Sequence, residues 1–195
     1  RLSLERDLRN ALHQNEFRVF YQPQINAQTG KVIGVEALVR WEHPERGLIY
    51  PGDFIPLAEE TGLILPIGKW VLDTACAQIK SWQQDALTKN LVVAVNVSAK
   101  QFHQPEFVTH VRSAINHYDI KPELLKLELT EGMLIENIEE TIATMSALQL
   151  SGVQFSLDDF GTGYSSLQYL KRLPLNQLKI DQSFVRDIVT DNNDK

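Results

Sequence analysis

The run Leu125-Lys126-Leu127-Glu128-Leu129-Thr130 constrains the fold more than any other feature of this sequence. In a β-strand successive side chains point to opposite faces, so its leucines lie on one side and Lys, Glu and Thr on the other. Phe155-Ser156-Leu157-Asp158 and Leu178-Lys179-Ile180-Asp181 repeat the scheme. The pattern predicts strands at Phe17 to Ile25, Val32 to Trp41, Leu91 to Ser98, Leu124 to Thr130, Val153 to Asp158 and Gln177 to Asp181. Helical patterns lie between or ahead of them: Leu4 to Leu12 with Ser3 as N-cap, Trp70 to Gln83, Pro105 to Tyr118, Ile138 to Gln149 and Ser165 to Arg172. Such alternation predicts an α/β fold with a mostly parallel sheet, because parallel strands need long return connections. A sheet covered by helices on both faces would show continuously apolar strands. One polar face fits a barrel whose leucines meet outer helices while polar residues point inward toward one mouth. A sheet with one solvated face would alternate in the same way.

Composition narrows the class further. With 43% hydrophobic and 23% charged among 195 residues, the chain can build a substantial core, and no linker or repeat divides it. One domain over 1–195 is expected, with 1–12 as a possible connecting helix from an upstream domain. Apolar runs such as Leu91 to Val95 fall far short of the ~20 residues of a membrane span. The single cysteine, Cys76, cannot close an internal disulfide and fits a reducing, cytoplasmic compartment; among Val71, Leu72, Ala75 and Ile79 it reads as core. A net charge of −6 argues against a DNA-coating protein, but bound divalent cations could still admit a phosphate substrate. A complete (β/α)₈ barrel takes about 250 residues. The six predicted strands, the opening at Arg1 and the polar Asp191-Asn192-Asn193-Asp194-Lys195 suggest either a smaller domain or a segment of a longer polypeptide.

Carboxylates recur at the C-terminal ends of the predicted strands: Glu36, Glu128, Asp158, Asp159 and, less clearly, Asp181. Asn96 and Lys179 hold comparable positions. Parallel strands bring these ends to one rim, where the acids would repel one another unless a cation held them. Oxygen donors of this kind suit Mg²⁺ or Mn²⁺. Adjacent acids such as Asp158-Asp159, ahead of Phe160-Gly161-Thr162-Gly163, can serve two ions about 4 Å apart. Any one acid alone reads equally well as a helix cap or solvated strand end. His103, His110 and His117 are seven apart, but Pro105 interrupts the first interval and no companion ligands stand near, so they are expected to be surface or structural residues.

Glu36-Ala37-Leu38-Val39-Arg40-Trp41 resembles the signature of the EAL-domain family, bacterial phosphodiesterases that open cyclic di-GMP. The likeness takes in Tyr21-Gln22-Pro23, Pro51 to Glu59, Asn96-Val97-Ser98, Glu128-Leu129-Thr130-Glu131, Asp158 to Leu167 and Lys179-Ile180-Asp181. It implies a modified TIM-type barrel, often with one strand reversed, and a mouth holding two Mg²⁺ or Mn²⁺ ions. Glu36, Asn96, Glu128 and Asp158 would ligate the first; Asp158 would bridge to a second, which Asp159 also binds. Lys179, with Glu36 and Asp159, would serve catalysis, Lys179 by holding or polarising the attacking water. Gln22, Leu38, Arg40 and Asp181 would contact substrate, and Glu131 would brace the loop from Asp159 to Ser166. The resemblance also implies two further strands after Lys195, one carrying a glutamate for the second metal. It implies a homodimer and an upstream sensor or GGDEF domain, with no DNA and no membrane contact by this domain. The product would be linear pGpG. A receptor for cyclic di-GMP without catalysis is the alternative, although such a receptor has no need of the complete acid set.

Overall fold

The computed structural model describes residues 2–135, 137–160, 170–183 and 186. Helix α1 (Leu2–Ala11) leads into an antiparallel ribbon, β1 (Phe17–Ile25) and β2 (Val32–His43), and a short β3 (Gly47–Ile49) folds back on β2. Helices α2 (Pro51–Thr61) and α3 (Ile64–Trp82) follow, then β4 (Val92–Asn96), α4 (Ala99–Phe102), α5 (Phe107–Tyr118), β5 (Leu125–Thr130), α6 (Glu131–Ile135), α7 (Ile138–Gln149), β6 (Gln154–Phe160) and β7 (Gln177–Ile180). The strands form one sheet in the order β1-β2-β4-β5-β6-β7, parallel from β2 onward apart from β3. The reversed strand implied by the family resemblance is therefore β1.

Local chemistry accounts for these elements. At the head of α7, Asn137 Oδ1 accepts from the Glu140 amide at 3.3 Å while its Nδ2 donates to Glu140 Oε2 at 2.9 Å, so cap and third residue hold each other. α2 opens on Pro51, where a missing amide costs nothing, and closes on Gly62 at φ 78°. Gly34 is required where β2 meets β4, because a Cβ there would stand 2.7 Å from the Val92 carbonyl oxygen.

On the sheet's outer face Val35, Val93, Val95, Leu125, Leu127, Leu129, Phe155 and Leu157 are buried against the helices. Phe17, Trp41, Phe54 and Trp70 pack at centroid distances of 5.8 to 6.3 Å, which closes the β1–β2 end. Cys76 is fully buried, as expected of a core thiol, and burial pushes its pKa up to about 12.

Several boundaries differ from the sequence expectation. Ser3 is not an N-cap, because α1 already includes Leu2; its hydroxyl instead accepts from Arg46 at 3.2 Å. α1 docks through the fully buried Leu8 and Ala11 and through Asp7, 3.4 Å from His43 Nε2. α3 begins six residues before Trp70, α5 begins at Phe107 rather than Pro105, and α2, α4, α6 and β3 are additional. Most of the helix expected at Ser165 to Arg172 lies outside the described residues.

Candidate active site

The polar side of the strands builds the site. In register, Asn96 of β4 stands beside Glu128 of β5, and Glu128 beside Ser156 of β6. Lys179 of β7 reaches across and donates to Glu128 Oε2 at 2.8 Å, Glu36 Oε2 at 3.2 Å and Asp158 Oδ2 at 3.3 Å. Asn96 Nδ2 donates to Glu36 Oε1 at 2.9 Å, and the Ser156 hydroxyl donates to Glu128 Oε1 at 3.3 Å. Ligand oxygens of Glu36, Glu128 and Asp158 all lie within 4.8 Å of one another. Strands separated by up to 143 positions in sequence thus meet at one point.

Asp158 and Asp159 would face opposite ways on a regular strand. Here Leu157 pairs with Leu178 and Phe160 with Ile180, so β6 carries one residue more than β7 over this stretch. This is a bulge, a device that re-aims side chains at the ends of strands. Asp159 takes φ 56°, a left-handed conformation that aspartate tolerates better than most residues, and its amide donates to Asp158 Oδ1 at 2.9 Å. Partial burial and the nearby charges of Asp158 and Asp181 raise the pKa of the Asp159 carboxyl.

The electrostatics follow from crowding. Glu128 is 1% exposed, and its burial pushes its carboxyl pKa up; the Lys179 hydrogen bond pulls down, while Glu36 and Asp158 add to the rise. Burial alone would lower the Lys179 ammonium, but the hydrogen bond to Glu128 and the charges of Glu128, Glu36 and Asp158 outweigh it and hold it above its ordinary value. One ammonium among three carboxylates leaves a net negative charge in a partly desolvated place. An all-oxygen donor set with that surplus fits a hard divalent cation.

A family model described as the EAL domain matches residues 5–195. The chain belongs to the EAL domain family. It is 48% identical over 193 residues to the bifunctional diguanylate cyclase/cyclic di-GMP phosphodiesterase MucR of Pseudomonas aeruginosa, covering 99% of this chain and 28% of that protein. It is 43% identical over 190 residues to the signaling protein YkoW of Bacillus subtilis, 97% of this chain and 24% of that one. The chain thus spans about a quarter of the length of these relatives. Among solved structures, the PaMucR phosphodiesterase in complex with c-di-GMP superposes with a TM-score of 0.94 at 47% identity, over 98% of this chain and 77% of that chain. The EAL enzyme Bd1971, in its cAMP and cyclic-di-GMP bound form, gives 0.90 at 32% identity, over 99% and 53%.

In this EAL domain the remaining expected residues divide into groups. Gln22 is exposed and pairs in register with Glu36, so it shares the face of the acid cluster. Leu38 lines a cleft of about 500 Å³ that also includes Pro51, Ile55, Asn96 and Met133. Arg40 lies two residues further along β2 and stacks on Tyr50 and Phe20. Asp181 lies just past β7, and its Oδ1 accepts from the Ser183 amide at 2.8 Å and from the Ser183 hydroxyl, contacts that lower its pKa. Glu131 heads α6 and is buried; most of the loop it was expected to brace lies outside the described residues. Ser156 and Gln177 are inner-face residues that motif reading passes over, although each stands two positions from a singled-out residue, Asp158 or Lys179. Among the described residues no helix is long and apolar enough to cross a membrane.

Proposed function

We propose that this domain is a metal-dependent phosphodiesterase that opens cyclic di-GMP to the linear dinucleotide pGpG. The observation that carries the reading is the convergence of Glu36, Glu128 and Asp158 on Lys179, with their oxygens within 4.8 Å. Glu36, Asn96, Glu128 and Asp158 would hold one Mg²⁺ or Mn²⁺ ion, and Asp158 with Asp159 would hold a second. When bound, such ions supply Lewis acidity, making a hydroxide accessible near neutral pH and neutralising charge on the phosphoryl and departing oxygens.

The chain's own residues have distinct tasks. Lys179 keeps its proton, because three carboxylates surround it, and so serves as a fixed hydrogen-bond donor that orients a water beside the phosphorus. Glu128, the deepest acid, is oriented by Lys179 and Ser156. Arg40 presents a planar pair of donors suited to a phosphate, while Gln22, Leu38 and Asp181 contact the nucleotide. Glu131 braces the loop that follows Asp159. The MucR relative is bifunctional by name, and we place a diguanylate cyclase-like or sensor domain ahead of α1 in the parent protein, with a homodimer as the working assembly.

The deciding experiment incubates the full-length protein and this domain with cyclic di-GMP, with and without Mg²⁺ or Mn²⁺, and separates the nucleotides. Metal-dependent appearance of pGpG is expected. Glu36→Ala should lower turnover at least 100-fold while circular dichroism stays native. Turnover by Glu36→Ala at the wild-type rate would refute the assignment, and binding without cleavage by the full-length protein would make the domain a receptor.

A further inference from the structure

The cleft of about 500 Å³ beside Leu38 and Asn96 contains a polar group that the chemistry above does not use. Its buried walls are apolar: Ile64, Ile67 and Val71 of α3 and Met133 of α6. Gln101 of α4 stands among them, only 7% exposed. Its main-chain amide donates to the Ser98 hydroxyl at 3.2 Å, the cap of α4, but its side-chain carboxamide has no hydrogen-bond partner among the described residues. The carboxamide rests on α3 at Gly68, where a Cβ would stand 2.4 Å from Gln101 Oε1. Gln101 also borders a smaller cavity of about 180 Å³, but Gly68 borders only the larger one, so the carboxamide belongs to the cleft.

Two local costs coincide at this point. A glycine inside a helix is less favourable than alanine, and Gly68 lies one turn into α3. A carboxamide withdrawn from water and left unpaired is less favourable than an apolar side chain of the same shape. Packing alone would be served better by alanine at 68 and methionine at 101. Together the two residues instead keep a donor and an acceptor side by side against apolar walls, and local rules broken in one place are the mark of a functional site.

The lining also limits the occupant. Glu59 is the only charged residue among the described ones that border the cleft, and the adjacent Lys100 ammonium is engaged by the Glu59 carbonyl oxygen. A phosphate or carboxylate would therefore meet no cation in the lining and one like charge. A carboxamide offers its C=O and its NH2 in one plane, and the group that answers both at once is another amide or a lactam.

We propose that this cleft binds a second, non-nucleotide ligand, an uncharged apolar amide or lactam whose polar end pairs with Gln101 and whose body lies on α3. Because Leu38 and Asn96 border the same cleft, the occupant sits next to the acid cluster. The site does not depend on the phosphodiesterase reading.

The test uses nitrogen-15-labelled protein and two probes that share one apolar chain, heptanamide and heptanoate. The side-chain NH2 resonances of Gln101, assigned by their loss in Gln101→Met, report contact directly. Heptanamide should shift them saturably, and equilibrium dialysis should show it bound about tenfold more tightly than heptanoate. Gln101→Met, and Gly68→Ala, whose methyl group displaces the carboxamide, should each weaken heptanamide about tenfold. Both variants should melt no lower than wild type, because each removes one of the local costs. Equal heptanamide binding by wild type and both variants overturns the site, as does tighter binding of heptanoate or no binding of heptanamide by wild type. A Gln101→Met protein that melts several degrees below wild type overturns it too, since the carboxamide would then be a structural partner. So does a Gln101 resonance that moves with cyclic di-GMP and not with heptanamide, which would place the substrate in the cleft instead.

Discussion

Lys179 and Lys126 leave strands β7 and β5, on either side of β6, and point into the same partly buried interior. Lys179 meets three carboxylates, which hold its ammonium above the ordinary lysine range against the opposing pull of burial. Lys126 Nζ donates to the neutral Gln177 Oε1 at 2.8 Å; burial lowers its pKa, Glu128 pulls it back up, and the Lys179 charge pushes it further down. The desolvation is of one kind, so the partners decide the outcome. The difference also shows how charge is arranged along the interior: three acids share one ammonium at the rim, while two residues deeper a single ammonium meets a neutral amide.

The comparison predicts its largest effect at Lys179. Lys179→Met removes the only ammonium that Glu36, Glu128 and Asp158 share among the described residues. Turnover of cyclic di-GMP should fall at least ~100-fold, the usual scale for removing one preorganised hydrogen-bond donor. Breaking a partly buried ion-pair network should also cost about 3 kcal/mol in metal-free protein, seen as a melting temperature lower by roughly 6–12 °C. Millimolar Mg²⁺ or Mn²⁺ should restore much of that stability, because a ligand that binds only the native state stabilises it. A Lys179→Met protein with wild-type turnover and melting would place the two lysines on equal footing and end the contrast.

How far the sequence discloses this arrangement depends on the range of the physics involved. β1 and α7 are legible to the residue, since periods of 2 and 3.6 are local properties of Phe17–Ile25 and Ile138–Gln149. Glu128, Asp158 and Lys179 are legible as a set because each sits on the polar side near the end of an alternating strand, and Asn96 because it closes the apolar run of β4; Glu36 instead lies midway along β2, near the end of its parallel pairing with β4. The three-residue β3 is too short to carry a period, and Pro51 and Pro56 disguise α2. The bulge at Asp158-Asp159 is a choice of backbone angle that composition does not dictate. Tyr50 reaches Arg40 only through the fold of β3 on β2, so their stacking is a tertiary fact.

Glu128→Gln sharpens the contrast from the acid's side. The shape is kept and the amide oxygen can still accept from Lys179, with the NH2 group turned to donate to the Ser156 hydroxyl, but the deepest negative charge is gone, and turnover should again fall by about two orders of magnitude. Stability should move the other way. The folded pKa of Glu128 lies above its unfolded one, so this group's contribution is fully present below the ordinary carboxylate range and is lost as pH rises through the folded value. Chelated wild type should therefore lose stability relative to Glu128→Gln as pH climbs from about 4.5 toward neutrality. Urea denaturation of both proteins at stepped pH reads the difference, and parallel curves would mean that the glutamate is not held against its burial.

The smallest effect belongs to Lys126. Its folded pKa is depressed, so its contribution is present above the ordinary lysine range near 10.5 and is lost as pH falls through the folded value. At neutral pH the native protein thus carries the cost of a poorly compensated charge, which Lys126→Met removes. The same change leaves the Gln177 carbonyl without its donor, a cost of about 1–3 kcal/mol if water does not reach it. The two nearly cancel, and the single variant should lie within about 1 kcal/mol of wild type in urea denaturation, with turnover within about threefold. Lys126→Met combined with Gln177→Leu removes both polar partners together and should exceed either single variant in stability, because an apolar pair needs no compensation. A Lys126→Met loss of turnover as deep as that of Lys179→Met would mean that the inner lysine, too, belongs to the rim's charge balance.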